Sequence, residues 1–285
     1  MRNRREFLAA AGLAAGAVWS RRAAAAPLGL PIGIQPYTVR KEMEKDLTGT
    51  MKQLVDMGYG AMETGDGFYG KNAAETRDLL KSFGLISPSG FYPSPKEKAD
   101  WEKSIEHANT IGLTYMITVA PDGWTKTLDG WKRTADRFNE LGAVCKKAGT
   151  VLSYHNHNFE FRKFDGVTAY DELLRLTDPE LVKMEMDCFW TTMAGRDPVT
   201  YLEKHPGRFA LLHIKDMKKG YQPTTESPKG QPFAEVGNGI INYVPIFKAA
   251  PKGGVKQYYV EQDNWDRPPL ECARISCDYL KKLTV

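Results

Sequence analysis

Charged and imidazole side chains stand at the ends of five short apolar runs in this sequence. In chain order they are Glu63, His155, His157, Glu160, Glu185, Asp187, His213, Lys215, Asp216, Glu261 and Asp263. Three of the five histidines of the chain belong to this set. Carboxylates with one or two imidazoles are the ligands of a divalent ion such as Mn²⁺, Mg²⁺, Co²⁺ or Zn²⁺. The pattern therefore indicates metal-assisted chemistry.

Each of these residues has an ordinary explanation when it is taken alone. A lone histidine on a strand is usually a hydrogen-bonded core residue, and a lone carboxylate often caps a helix. Four consecutive strand ends with such groups are different, because a buried charge is costly unless it is paired or bound to a metal. The joint pattern favours one metal site. His107 and His205 lie on predicted helix surfaces, and we interpret them as structural.

Short apolar runs alternate with longer segments of helical period along the chain. The predicted strands are Ile32–Gln35, Gly60–Glu63, Leu85–Gly90, Tyr115–Ala120, Val151–His155, Val182–Asp187, Phe209–Ile214 and Gln257–Glu261. The predicted helices are Leu47–Met57, Ala73–Phe83, Glu97–Ile111, Leu128–Ala148, Tyr170–Leu176, Pro198–Lys204, Ile241–Ala249 and Leu270–Leu283. Eight such parallel units close a barrel. We predict a single (β/α)8 TIM barrel of the α/β class, with its site at the C-terminal strand ends.

Two further features of the barrel region can be predicted. Gly58, Gly84, Gly112 and Gly149 each follow a predicted helix, where a left-handed cap is expected. The segment from Lys218 to Gly239 is rich in Gly, Pro, Thr and Ser and follows the seventh strand, so we expect a functional wall or lid. The four cysteines have no metal-site or C-x-x-C spacing, and we interpret them as core residues.

Residues 1–26 have the layout of an export signal. A basic start with Arg4-Arg5 precedes an apolar run from Phe7 to Trp19, and alanines at 23–26 suit cleavage. The Arg pair resembles a twin-arginine signal, which predicts a periplasmic protein. The apolar run is too short to span a membrane. We therefore divide the chain into a signal, residues 1–26, and a barrel domain, residues 27–285, that has no membrane contact after cleavage.

The charge of the barrel domain argues against nucleic acid as a partner. The first 26 residues hold five arginines and one glutamate, a surplus that equals the whole net charge of +4. The remainder is neutral and has no basic block, unlike a nucleic-acid binder or an apurinic endonuclease. The 285-residue chain is 42% hydrophobic and 26% charged, which is typical of a globular protein. A homo-oligomer is left open.

At its strand ends the chain resembles the sugar phosphate isomerase/epimerase family of xylose isomerase-like barrels. The motifs that carry this resemblance are residues 32–37 (IGIQPY), Met62-Glu63, residues 155–161 (HNHNFEF), Met186-Asp187, residues 213–216 (HIKD), residues 236–239 (VGNG) and residues 260–262 (VEQ). They span nearly all of residues 30–283. The two histidine-containing motifs together are fairly specific, and neither would suffice alone.

The resemblance implies one divalent ion held by Glu160, Asp187, His213 and Glu261. In many relatives the first of these ligands is a glutamate on the fifth strand, where this chain has His155. Either His155 is the ligand or Glu160 reaches back from the following turn, and we favour Glu160. A second departure is Ser89 in the third strand, where many relatives have a histidine.

The implied reaction is isomerisation or epimerisation of an unphosphorylated sugar or keto-sugar through a metal-stabilised enediolate. By analogy Glu160 and Glu261 are the catalytic acid/base pair. The predicted substrate-binding residues are His155, His157, Lys215, Glu63 and Trp124. One alternative is a lyase or hydratase that cleaves a 3-keto-glycoside by elimination with the same site. The other is an exported sugar-binding protein without turnover.

Overall fold

The computed structural model describes residues 26–94, 98–121 and 123–285. The predicted export signal therefore lies outside the described residues, except for Ala26. Among the helices that are described, none is long and apolar enough to cross a membrane.

A parallel sheet curves around the centre of the molecule. Its strands are Gly33–Ile34, Ala61–Met62, Thr64–Gly65, Ser89–Phe91, Tyr115–Thr118, Val151–His155, Val182–Asp187, Phe209–Ile214 and Gln257–Val260. The first strand pairs with the last, with Gly33 opposite Tyr259. A parallel bridge between Ala61 and Ile86 joins the second barrel strand to the third. The predicted single TIM barrel is confirmed.

The second barrel strand is broken at Glu63 into Ala61–Met62 and Thr64–Gly65, which differs from the continuous strand that we predict. These two pieces are counted as one, so the barrel has eight strands, numbered in chain order. Ala61–Met62 pairs with the first strand, whereas Thr64–Gly65 pairs with Gly90 and Phe91 of the third. The third strand is correspondingly shorter than predicted. The break leaves the side chain of Glu63 buried in the barrel, where it meets other polar side chains.

Helices cover the outside of the barrel. They are Arg40–Lys45, Leu47–Met57, Ala73–Ser82, Lys98–Ile111, Leu128–Lys147, Ala169–Leu176, Cys188–Met193, Pro198–Lys204, Tyr243–Gly253 and Pro269–Lys282. The helix predicted at Ile241–Ala249 begins two residues later because the Asn242 side chain caps it at the backbone N–H of Val244. The short helix Cys188–Met193 was not predicted, and Asp187 caps it through the backbone N–H of Trp190.

The smaller predictions for the barrel agree with the structure. Gly58, Gly84, Gly112 and Gly149 all have left-handed backbone, with φ of 109°, 66°, 94° and 82°. The four cysteines are buried and unbridged. Since the barrel has no disulfide among them, its stability rests on the packed core and on the helix ends.

Candidate active site

The ends of the strands place five carboxylates inside the barrel mouth. Glu63, Glu160, Glu185, Asp187 and Glu261 are all at most 7% exposed. The buried positive or imidazole groups in the same region are fewer, namely His155, His213 and Lys215. An excess of buried acidic groups raises the electrostatic cost of the folded site and favours binding of a cation.

His213 connects two sides of this cluster. Its Nδ1 lies 2.7 Å from Glu261 Oε2, and its Nε2 lies 2.8 Å from Glu63 Oε2. Burial lowers the pKa of His213, but Glu185, Glu261 and Glu63 outweigh burial and raise the pKa well above its usual value. A carboxylate oxygen faces each ring nitrogen, which favours a proton on both nitrogens; a bound cation would take the place of one of these protons.

The ammonium group of Lys215 lies among three carboxylates. Its Nζ is 3.1 Å from Asp187 Oδ2, 2.8 Å from Glu261 Oε2 and 2.9 Å from Asp263 Oδ1. Burial alone would raise the pKa of Glu261, but Lys215 and His213 lower it to about 2. Burial raises the pKa of Asp187 to about 6 despite the opposing effect of Lys215. The positive charges of Lys215 and His213 thus lie at the point where these carboxylates meet.

His155 is oriented by Glu185. The His155 Nδ1 lies 2.9 Å from Glu185 Oε2, and its Nε2 lies 3.9 Å from Asp187 Oδ2. Burial, together with nearby His213, lowers the pKa of His155 well below its usual value. His155 is therefore a neutral imidazole beside Asp187. In the tautomer whose Nδ1–H donates to Glu185, Nε2 has a lone pair that could bind a metal.

Glu160 returns to the fifth strand from the turn that follows it. Its Oε1 accepts from the Tyr154 hydroxyl at 2.7 Å and from the His157 backbone N–H at 2.9 Å. Its Oε2 is buried and has no hydrogen-bond partner. Burial raises the pKa of Glu160 to about 7. A carboxyl group with this pKa can hold or release a proton near neutral pH.

The donor atoms fit a divalent cation. His155, Asp187 and His213 each offer a ligand atom within 4.8 Å of the others, and Glu63, Glu185 and His213 form a second such group. Glu160 Oε2 has no hydrogen-bond partner, whereas Asp187 Oδ2 faces the Lys215 ammonium at 3.1 Å. Buried acceptors without partners call for a proton, a water or an ion. Of the four ligands implied by the resemblance, Glu160 thus has an oxygen without a partner, and Asp187 has one that is paired only with the Lys215 ammonium.

The structure brings most of the predicted site residues to one place. His155, His157, Lys215 and Glu261 line a cavity of about 510 Å³ at the C-terminal strand ends. Trp124 lies elsewhere and lines a different cavity with Arg133, because the turn after the fourth strand carries it away.

Glu63 does not line this cavity, although we predict that it binds substrate. Its carboxylate accepts from Gln35 Nε2 at 2.9 Å, from Ser89 Oγ at 2.5 Å and from His213 Nε2 at 2.8 Å. Ser89 also contacts the Tyr259 hydroxyl at 2.7 Å. These neighbours engage both oxygens of Glu63, so its role in the structure is to orient His213.

From the sequence we assign no role to Gln35 or Tyr259, and we mention Ser89 only as the residue at which many relatives have a histidine. These three side chains are neutral and common, so their types alone carry no chemical signal. The one available signal was position, since Gln35 directly follows the first strand and Tyr259 lies on the eighth. The first strand borders the second strand, and the eighth borders the first.

Asp216 fastens the loop that follows the seventh strand. Its Oδ1 accepts from the backbone N–H groups of Met217 and Ile241, and its Oδ2 accepts from those of Gly237 and Gly239, at 2.8–3.1 Å. A Cβ at Gly239 would lie 2.2 Å from Asp216 Oδ1, so only glycine permits this approach. One buried carboxylate thus closes a long loop beside Lys215.

The middle of the same loop is held by the turn after the fifth strand. The Asn158 side chain donates to the carbonyl oxygens of Thr224 and Glu226, at 2.9 and 2.8 Å. Arg162 reaches Glu226 Oε2 at 2.7 Å. Phe233 stacks on Phe189 with ring centroids 4.4 Å apart. The segment is therefore held against the barrel, but none of its residues lines the cavity of about 510 Å³, so the expected wall or lid of the site is not seen.

Comparison with known proteins identifies the family. The sequence model of a family described as Xylose isomerase-like TIM barrel matches residues 51–283. This chain belongs to the xylose isomerase-like TIM barrel family. The strand ends described above are thus the active-site face of a xylose isomerase-like barrel.

Inosose dehydratases are similar to this xylose isomerase-like barrel in sequence. Inosose dehydratase of Clostridium perfringens is 30% identical over 157 residues, which are 51% of this chain and 52% of that protein. The chain thus spans about half the length of this and other first relatives that it matches. Inosose dehydratase of Mesomycoplasma hyopneumoniae strain J is 26% identical over 288 residues, 88% of this chain and 95% of that protein.

Solved structures show the same fold. A sugar phosphate isomerase/epimerase from Parabacteroides distasonis is 26% identical, with a TM-score of 0.74 over 88% of this chain and 93% of that chain. The IolI protein, solved with a zinc atom, is 13% identical, with a TM-score of 0.69 over 88% and 96% of the two chains. At that identity the likeness extends to the fold alone.

The Asp216 contacts predict a large loss of stability in Asp216→Ala. Removing the carboxylate leaves four backbone N–H groups without an acceptor, and each hydrogen bond to a charged group contributes about 1.5–3 kcal/mol. We expect the free energy of unfolding, measured by urea denaturation, to fall by about 3 kcal/mol or more. Asp278→Ala, on an exposed helix surface, is the control and should change it little. A loss below about 1 kcal/mol for Asp216→Ala would contradict this role.

Proposed function

We propose that this protein is a divalent-metal-dependent isomerase or epimerase that acts on an unphosphorylated sugar or keto-sugar. The observation that carries the proposal is the excess of buried carboxylates around His213 and Lys215 at the floor of a cavity. Membership of a family with sugar-modifying enzymes supports the same reaction class.

The residues that would hold the ion are Asp187, His213 and Glu261, with Glu160 as the fourth ligand. The partnerless Oε2 of Glu160 supports this set, as do the ligand atoms of Asp187 and His213, which lie within 4.8 Å of each other. His155 is the alternative fourth ligand, because its Nε2 lies near Asp187 and His213. A bound divalent ion would supply positive charge that polarises a sugar carbonyl and makes the neighbouring C–H more acidic.

The proton steps belong to Glu160 and Glu261. In the proposed reaction one carboxylate removes a proton from the carbon beside the carbonyl, and the electron pair moves to the carbonyl oxygen to give an enediolate. Return of the proton to the adjacent carbon shifts the carbonyl. Return to the opposite face of the same carbon inverts its configuration. Lys215, His155 and His157 line the cavity and would hold the substrate oxygens during these steps.

A second candidate function is dehydration or another elimination. The names of the relatives favour it, since inosose dehydratases from several organisms match this chain. The first step would be the same proton removal, after which a hydroxyl or a glycosidic oxygen on the β-carbon leaves with the electron pair. The leaving oxygen takes up a proton, so water or an alcohol is released and a carbon–carbon double bond forms. A 3-keto-glycoside would be cleaved in this way.

The first measurement is metal content by elemental analysis of the purified protein. We expect about one divalent ion per chain, or uptake of one Mn²⁺, Co²⁺ or Zn²⁺, because the buried acids outnumber the buried cations. Glu261→Gln and His213→Ala should lose it, whereas Glu180→Gln on the surface should keep it. Failure to bind any of these ions would overturn the metal site and leave a sugar-binding protein without turnover.

The second measurement is proton exchange with deuterated water, followed by NMR on a panel of keto-sugars. We expect deuterium at the carbon beside the carbonyl of at least one sugar, with a new isomer or epimer. A conjugated product that absorbs in the ultraviolet would instead identify the elimination. Glu160→Gln and Glu261→Gln should each lower the exchange rate by about a hundredfold or more, as expected for a lost acid/base group. Unchanged exchange in both variants would contradict their catalytic role.

Export to the periplasm is also part of the proposal. The supporting feature is the Arg4-Arg5 pair before an apolar run, and export would separate the protein from most phosphorylated sugars. Replacing both residues with lysine should leave the uncleaved precursor in the cytoplasm, as judged by cell fractionation. The matched control replaces Arg21 and Arg22 with lysine and should be exported. Normal export of the first variant would rule out the twin-arginine route.

A further inference from the structure

The cavity above the charged cluster has a second part that the proposed reaction does not use. Its floor is lined by His155, His157, Lys215, Glu261 and Asp263. Its rim is lined by Tyr37, Arg40, Asp66, Phe68 and Tyr69 from the loops after the first two strands. The proposed reaction assigns no role to these rim residues.

Arg40 is held in a fixed orientation at the rim. Its guanidinium lies 3.8 Å from the ring centre of Tyr37 and 4.4 Å from that of Trp265. Its Nη1 donates to the Tyr37 carbonyl at 2.7 Å, and its Nη2 donates to the Asp263 carbonyl at 3.0 Å. A guanidinium has five N–H donors. The described hydrogen bonds use two of them and fix the plane, so the group is oriented for further hydrogen bonds at little entropic cost.

Two aromatic side chains at the rim are kept open to the cavity. Tyr37 is 49% exposed, among the few large aromatic or aliphatic residues of the described chain with such exposure. Tyr69 has left-handed backbone, with φ of 45°, between Gly67 and Gly70. A bulky residue in this region is strained, and such strain is concentrated at functional sites. The ring faces that line the cavity suit stacking on the apolar face of a ring.

The charges of the rim residues determine whether an anionic or a neutral sugar ring is favoured there. Arg40 carries one positive charge and Asp66 one negative charge, so the rim is close to neutral overall. An anionic group would be attracted by Arg40 but repelled by Asp66 and by the acidic floor. A neutral ring with several hydroxyl groups can accept from the guanidinium and donate to the carboxylate.

We propose that the rim residues Tyr37, Arg40, Asp66 and Tyr69 form an outer subsite for a second, neutral sugar ring. The substrate class would then be a disaccharide or another glycoside of a keto-sugar, and free monosaccharides would be poorer ligands. This inference rests on the proposed function only for the placement of the reacting ring at the floor.

The test compares one ring with two rings. The probes are D-fructose and three disaccharides that contain it, namely lactulose, turanose and palatinose. Their dissociation constants are measured by calorimetry on the Mn²⁺-loaded protein. We expect at least one disaccharide to bind at least tenfold more tightly than D-fructose. The proposal is overturned when none of the three binds more tightly than D-fructose.

Variants of the rim residues test whether the rim is the source of the tighter disaccharide binding. Tyr37→Ala and Arg40→Ala should each reduce the ratio of disaccharide to fructose affinity at least fivefold. Arg77→Ala, on the exposed surface of a helix, is the matched control and should preserve the ratio. Equal weakening of both ligands by the rim variants would count against the outer subsite. The fructose affinity of each variant shows whether the floor of the cavity is still correctly folded.

Deuterium exchange on the same sugars separates the two proposals. Tighter disaccharide binding without exchange on any sugar would support the outer subsite and contradict the proposed reaction. Exchange that is as fast on D-fructose as on the disaccharides, with no gain in binding, would support the reaction and overturn the outer subsite.

Discussion

The charge balance at the barrel mouth is the constraint on which the site depends. Five carboxylates are buried there, and their mutual repulsion and loss of hydration must be compensated within the folded protein. His213 and Lys215 provide most of the compensation, each in contact with at least two acids. Removing one of these cations would leave its partners uncompensated. The arrangement is stable only when its positive and negative groups are present together.

The surrounding elements are organised so that this balance is kept. Gln35 and Ser89 hold Glu63 against His213, Glu185 holds His155, and Tyr154 holds one oxygen of Glu160. These contacts join side chains from the first, second, third, fifth, sixth and seventh strands. A closed sheet is the framework that can bring so many strand ends to one point. The barrel and its site are therefore linked through hydrogen bonds as well as through topology.

The barrel could be predicted from the sequence because its signals are local. Apolar runs separated by helical segments, with glycine after several helices, define the strand and helix order without knowledge of the tertiary structure. The convergence of Asp187, His213 and Glu261 also follows, since strand ends of a parallel barrel share one face. The predictions were less successful where geometry depends on a turn. The turn after the fourth strand directs Trp124 away from the cavity, and the break in the second strand turns Glu63 inward. Gln35 and Tyr259 gave no signal because neutral polar side chains reveal their function only through their contacts.

The loop after the seventh strand has a consequence for how this barrel could change. Asp216 holds the backbone on both sides of the loop, so its two ends are fixed to a single side chain. The segment between them could be lengthened, shortened or exchanged while the charged floor stays in place. The contacts that hold its middle, those of Asn158 and Arg162 and the stacking of Phe233 on Phe189, would need to be rebuilt. Such a loop behaves as an interchangeable module, which a lineage or a protein engineer could vary without disturbing the reacting groups.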